Sequence, residues 1–233
     1  MAAMPFGYVP WEQQERDRAE FARRGISRGR SVVAVEYADG VLFVADNPST
    51  TLYKLSEIYD RIAFGAVGRY AEYEQLRVSG IQSTEVRGYQ YAREDVSGRA
   101  LANGYASALR SAFSEQSKPF EVELLLAEVT DDDVEIYHIL YDGSITDEHG
   151  AVAIGGTADA LNTRLKATFR EGLPLAEALR LANGVLSDQE SSGSNGAIRL
   201  EVVGLDRNRG RRKFFRLEEP RIRELLADEP TPS

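Results

Sequence analysis

The chain contains no cysteine, which excludes disulfides, thiolate zinc sites and cysteine nucleophiles and accords with a reducing compartment. Histidine is nearly as scarce. His138 and His149 are the two present, and neither has a second histidine three or four residues away to hold a metal on one helical face. His138 lies in the alternating run VEIYHIL, a strand pattern, while His149 follows Asp147 and Glu148 in a Gly-bounded segment that reads as a solvated loop. A Ser-His-Asp hydrolase would need one of these two, and no G-x-S-x-G elbow accompanies them. The phosphate-cradling patterns G-x-G-x-x-G and G-x-x-x-x-G-K-[ST] are also missing. Their nearest approach, Gly155-Gly156-Thr157, reads as a chain reversal in which Thr157 caps the following helix. No metal and no cofactor is expected. The apolar runs stop far short of the ~18 residues of a membrane span, and the first residues, MAAMPFGYVPWEQQERDRAEF, lack the basic-then-apolar order of a signal peptide. A cytoplasmic protein without membrane contact is expected.

What is present is an ordinary globular composition over 233 residues, enough for one large domain with a sizeable core. Asp plus Glu number 37 against 28 Lys plus Arg, a net charge of −9. A polyanion would be repelled, so nucleic acid is not an expected partner. The one basic cluster, Arg207, Arg209, Arg211, Arg212, Lys213 and Arg216, is short, overlaps a strand pattern and reads as a solvated hairpin. The acidic triplet Asp131, Asp132 and Asp133 lacks the spacing of a calcium loop and reads as a hairpin tip.

The order of elements carries more. Residues 11–24, between Pro10 and Gly25, have helix start and stop signals but no complete apolar stripe, which marks a helix for contact with a partner. SVVAVEYA and VLFVA flank Asp39-Gly40, a hairpin signal, and TLYKL and RIAFGAV form a second strand pair across the polar stretch SEIYD. Tyr70, Tyr73, Leu76 and Ile81 recur at near-helical spacing, and a helix is expected from about Val96 to Ser114 with Asp95 or Ser97 as its cap. The pattern then repeats. Strands EVELLLAEV, VEIYHILY and AVAI, with a turn at Asp142-Gly143, precede helices over 159–170 and 175–188. A loop at SSGSNG, strands AIRLEVVGL and RKFFRL, a helix with Pro220 in its first turn and a tail DEPTPS complete the chain. Strands such as SVVAV and ELLLA are apolar on both faces, yet the Asp-Gly turns make them antiparallel hairpins without crossover helices. Two antiparallel sheets packed together, with helix pairs on their outer faces, satisfy both facts: an α+β fold built as a four-layer αββα sandwich.

That order is the order of the N-terminal-nucleophile hydrolase fold. RSVVAVEYADGVLFVADN, KLSEIYDRIAFGAVG, TEVRGYQYAREDVSGRALANGYA, KPFEVELLLAEV and YDGSITDE resemble the proteasome α subunits of actinobacteria, and the likeness runs from about Trp11 to Leu226. The segment ahead of the first strand, ARRGISRGRS, departs from the YDR and SPDGR motifs of archaeal and eukaryotic α subunits. The resemblance implies a gating segment over 1–10, one α-type domain over 11–228 that includes the helix of 11–24, and a flexible tail over 229–233. It implies a homo-heptameric ring of α subunits on rings of β subunits, a docking ring-shaped AAA ATPase, and unfolded protein substrates in transit, tagged with a prokaryotic ubiquitin-like protein. A specific contact between such subunits requires a buried area on the order of 1,600 Å², so a stable functional monomer is not expected.

In the catalytic β subunits of this family a processed N-terminal threonine attacks the amide, assisted by an aspartate and a lysine. Its position corresponds here to Arg30, which cannot attack, while the assistants correspond to Asp46 and Lys54. The chain is therefore expected to be no enzyme itself. The resemblance gives Lys54 a different task, pairing with the C-terminal carboxylate of a docking activator between adjacent subunits. It makes Pro5, Phe6, Tyr8, Val9 and Pro10, in a segment without charge, the gate at the ring axis. The alternative is a self-processing hydrolase with Ser31 as its N-terminal nucleophile, and a third reading is a homomeric scaffold without a protease partner.

Overall fold

In the computed structural model, residues 10–190 and 199–227 are described. The expected gate residues Pro5, Phe6, Tyr8 and Val9, the loop at 191–196 and the tail over 229–233 lie outside them. A helix, α1 (Trp11–Ile26), leads into β1 (Val32–Tyr37) and β2 (Gly40–Asp46), then β3 (Leu55–Tyr59) and β4 (Ile62–Gly68). Helices α2 (Tyr70–Gln90) and α3 (Gly98–Glu115) follow, and then β5 (Val122–Val129), β6 (Val134–Ile139), β7 (Ile145–Glu148) and β8 (Ala151–Ile154). Helices α4 (Ala158–Thr168) and α5 (Leu175–Glu190) precede β9 (Leu200–Asp206), β10 (Phe214–Leu217) and α6 (Glu219–Ala227).

The strands form two five-stranded sheets, in the orders β10-β9-β2-β1-β8 and β3-β4-β5-β6-β7, every neighbour antiparallel. Alternate side chains explain the layers. Val32, Ala34, Val41, Phe43, Leu125 and Ala127 fill the space between the sheets. Their neighbours Val33, Val35, Leu42 and Val44 face out onto α4, α5 and α6, whereas Leu124 and Leu126 face α2 and α3. A strand buried on both faces must be apolar throughout, so the continuous runs have their cause in four layers, and the expected αββα sandwich is what forms.

Four local expectations need correction. The tight turn lies one residue earlier than Asp39-Gly40, because Tyr37 pairs with Gly40 across it. Gly40 is instead required by β9, whose Leu205 carbonyl oxygen would stand 2.0 Å from a Cβ there. The third strand is LSEIY rather than TLYKL. Ser49 and Asn47 side chains accept the amides of Thr51, Leu52 and Ser49 and hold this stretch as a loop, while Ile58 and Tyr59 pack beneath the helices. The acidic stretch before His149 is a strand, β7, pairing with β6 at the rim. Thr157 precedes α4 without a side-chain capping bond, whereas Ser97 does cap α3 through the amide of Ala100.

The first helix passes through Gly25 because a side chain there would collide with Glu121, and it ends at Ser27. Ala22 and Ile26 enter the core between the sheets, and Arg18 donates to the carbonyls of Ala112 and Gln116 at the end of α3. The helix thus has a narrow inner edge and a broad outer face, on which Trp11 is 59% exposed. Phe43, fully buried between the sheets, has nowhere to relax if truncated. Phe43→Ala is expected to cost ~3–5 kcal/mol, read as a lower urea midpoint with an unchanged denaturant slope.

Candidate functional site

The sandwich is open at the end where β1 begins, and the link from α1 to β1 crosses it. Arg30 on that link points its guanidinium at Asp46, the last residue of β2, with Nη1 2.6 Å from Oδ2. Asp46 is buried, and its other oxygen has no hydrogen-bond partner among the described residues. Lys54 approaches from the far sheet and donates from Nζ to the Arg30 carbonyl oxygen at 2.5 Å. Burial draws the Lys54 ammonium pKa down to about 8, the carboxylates of Asp46 and Glu201 oppose that shift, and Arg30 adds to it. The three residues singled out in the sequence are thus brought together, and Arg30 engages both of the others.

Ser31 follows directly but is 5% exposed, with its Oγ 3.0 Å from Thr157 Oγ1. That contact occupies the Thr157 hydroxyl that the sequence assigned to capping. Gly155 sits against the Cα of Ser31 at positive φ, so the Gly-Gly turn serves close packing of the two segments. His138 Nε2 lies 2.7 Å from Glu123 Oε1, and the other Glu123 oxygen accepts the Gly155 amide at 2.9 Å. His138 is a strand residue tied into this turn, in line with its sequence pattern. Pro10, exposed, stands at the start of α1.

On the other side of the link lies a groove of about 520 Å³, bounded by Phe21, Arg24, Arg28, Gly29, Arg69 and Glu121 among others. Arg69 pairs with Glu121 at 3.2 Å, and Lys118 pairs with the same carboxylate at 2.7 Å. Sequence reading missed the groove because Arg69 and Glu121 join Arg24 and Arg28 only in the fold; the run RRGISRGR was its visible half. Sequence reading also missed Glu201, a buried acid near the start of β9, followed by the apolar run Val202–Leu205. The basic hairpin, expected to be solvated, is ion-paired instead. Arg212 holds Glu57, buried Lys213 holds Asp131 at 2.6 Å, and Arg216 holds Glu201 at 2.9 Å. Two of these acids supply the reason from the other sheet, Glu57 on β3 and Asp131 at the tip after β5, while Glu201 lies on β9 of the hairpin's own sheet.

Among the described residues, no three acidic, histidine or cysteine side chains converge to hold a metal ion, and no helix is long and apolar enough to cross a membrane. The arrangement brings carboxylate, ammonium and guanidinium groups together at one end.

The family model described as Proteasome subunit matches residues 26–203. Among curated proteins, "Proteasome subunit alpha" of Frankia alni is 55% identical over 99% of this chain and 99% of its own length. The protein of the same name from Streptosporangium roseum is 56% identical over 97% of this chain and 88% of its own. That of Thermomonospora curvata is 55% identical over 97% and 98%. With the family matched across most of its length, and relatives this similar from end to end, the chain belongs to the proteasome subunit family and is similar within it to α subunits.

Proposed function

We propose that this chain is a non-catalytic α subunit of a bacterial proteasome core, assembled in heptameric rings that cap proteolytic β-subunit rings in the cytoplasm. The observation that carries the reading is Arg30. It stands where the attacking group would be and takes up both assistants, its guanidinium on Asp46 and its carbonyl oxygen on Lys54. An arginine has no nucleophilic lone pair to offer an amide carbonyl. The self-processing alternative would require Ser31 to be freed from buried contact with Thr157 and α1 to be discarded, although α1 contributes Ala22 and Ile26 to the core.

The surfaces fit assembly. The exposed outer face of α1, including Trp11 and Phe21, suits contact with neighbouring subunits, and the net charge of −9 sets no barrier to an unfolded polypeptide in transit. Lys54, bonded to the Arg30 carbonyl, and the groove lined by Arg28 and Gly29 share the same short link, and together they suit the C-terminal carboxylate of a docking ring-shaped AAA ATPase. A charge-assisted bond of this kind contributes about 1.5–3 kcal/mol, and a ring multiplies it. The gating reading of residues 1–10 rests on their uncharged sequence, rich in proline and aromatics.

Four outcomes follow for the particle assembled with its β partner. Lys54→Ala should leave assembly and basal peptide hydrolysis intact and abolish stimulation by the ATPase, and undiminished stimulation would refute the docking role. Docking should persist below the Lys54 pKa of about 8 and weaken as pH rises through it, because only the protonated amine pairs with a carboxylate. Lys54→Arg should extend docking to higher pH. Removal of residues 1–9 should accelerate small-peptide hydrolysis, measured with a fluorogenic substrate, and an unaltered rate would show that they do not obstruct the pore.

A further inference from the structure

The residues that present Lys54 owe their course to a carboxylate that no motif marks. Glu201 sits on β9 opposite Ala45, on the face shared with Val203 and Leu205, and its side chain is 7% exposed. One of its oxygens, Oε2, accepts the Asn47 side-chain amide at 2.7 Å and the Lys54 backbone amide at 3.0 Å. The other, Oε1, accepts the Leu55 amide at 3.2 Å and the Arg216 guanidinium at 2.9 Å. Arg216 completes the frame. Its second nitrogen donates to the Leu55 carbonyl oxygen at 2.7 Å, and its guanidinium lies 4.6 Å from the centre of the Tyr53 ring.

Leu55 opens β3, an edge strand of its sheet. On the side where no strand pairs with it, its N–H goes to Glu201 and its C=O to Arg216. The ion pair therefore stands in for a neighbouring strand, and it does so across the gap between the two sheets. A buried ion pair adds little net stability compared with apolar packing, and its best-attested use is to fix one geometry. Here the geometry fixed is that of residues 53–55.

The surroundings of the ammonium itself are equally defined. It faces the Arg30 carbonyl and guanidinium from the link after α1, Asp46 from β2, and Glu201 from β9. The two carboxylates hold the proton on, against burial and Arg30.

We propose that Glu201, braced by Arg216, is a positioning residue for Lys54: it aims the side chain by holding the Lys54 and Leu55 amides, and it sets a carboxylate beside the amine. The importance of this device rests on the reading of Lys54 as the docking cation, but its test does not. Acylation of lysines in the assembled full-length chain, followed residue by residue with peptide mass spectrometry from about pH 6 to about pH 10, reads Lys54 whether or not an activator binds. Exposed Lys166 serves as internal reference.

Glu201→Gln retains the volume and removes the charge. It is expected to shift the Lys54 acylation midpoint downward, raising acylation at about pH 7 roughly threefold, the factor carried by about half a pH unit. Hydrogen exchange at the Lys54 and Leu55 amides should quicken in the same variant. Glu201→Asp keeps the charge but shortens the reach, so exchange should quicken while the midpoint stays near that of the wild type. An unchanged Lys54 midpoint in Glu201→Gln overturns the electrostatic part, and unchanged exchange in either variant overturns the positioning part. Should Glu201→Gln fail to assemble, Glu201→Asp decides the positioning by exchange, and Arg216→Lys, which keeps the counter-charge but loses the forked contact, is expected to quicken Leu55 exchange in its place. Undiminished activator response in Lys54→Ala would remove the docking reading and leave these measurements standing.

Discussion

The contact between Arg30 and Asp46 determines what the open end of the sandwich is for. Two sheets packed face to face leave a mouth where the polar ends of β2 and β3 meet the start of β1, and a carboxylate buried there must be neutralised or held by donors. Arg30 supplies the cation from a link that remains continuous with α1. Because the same residue offers its carbonyl to Lys54, one side chain and one backbone group together fill the mouth. Everything nearby is arranged around that occupation, including the Ser31–Thr157 pair and the Gly155 turn that allows it.

A mouth closed from within turns the chemistry outward. The ammonium of Lys54, half-buried, faces the Arg30 carbonyl and the carboxylates of Asp46 and Glu201, and in the proposed docking role it serves recognition rather than proton transfer. The arginine-lined groove beyond the link has the same sign of charge. On a chain with net charge −9, a local concentration of cations is the feature that the proposed docking of a carboxylate would use. The basic hairpin is ion-paired as well: Arg212, Lys213 and Arg216 hold Glu57, Asp131 and Glu201 and contribute to cohesion, as Arg69 and Lys118 hold Glu121 beside the groove.

The first helix links fold and assembly. Its inner edge gives Ala22 and Ile26 to the core, and Arg18 satisfies carbonyls at the end of α3, which anchors it without exhausting its surface. The exposed Trp11 and Phe21 are left to whatever lies beside it. Phe21 also carries Lys118 over its ring, so this outer face continues into the groove.

Much of this was legible in the residues alone, for a physical reason: strands apolar on both faces, joined by tight turns, admit only a layered arrangement, and of the two candidate caps ahead of α3, Asp95 and Ser97, Ser97 takes the role. The proposed loss of the nucleophile at Arg30, with Asp46 and Lys54 at the assistants' positions, came from the resemblance, because it depends on residue type at a matched position; the fold adds that the three side chains meet. Turn placement at Ala38-Asp39, the start of β3 and the strand character of Ile145–Glu148 were not, since each is set by a partner strand or a loop side chain distant in sequence. Glu201 was the least visible. An acid in an apolar strand carries no signature by itself, and its meaning arises only when two sheets bring Asn47, Lys54, Leu55 and Arg216 within hydrogen-bonding distance of one carboxylate. Local chemistry is written along the chain; which groups satisfy a buried charge is decided where the sheets meet.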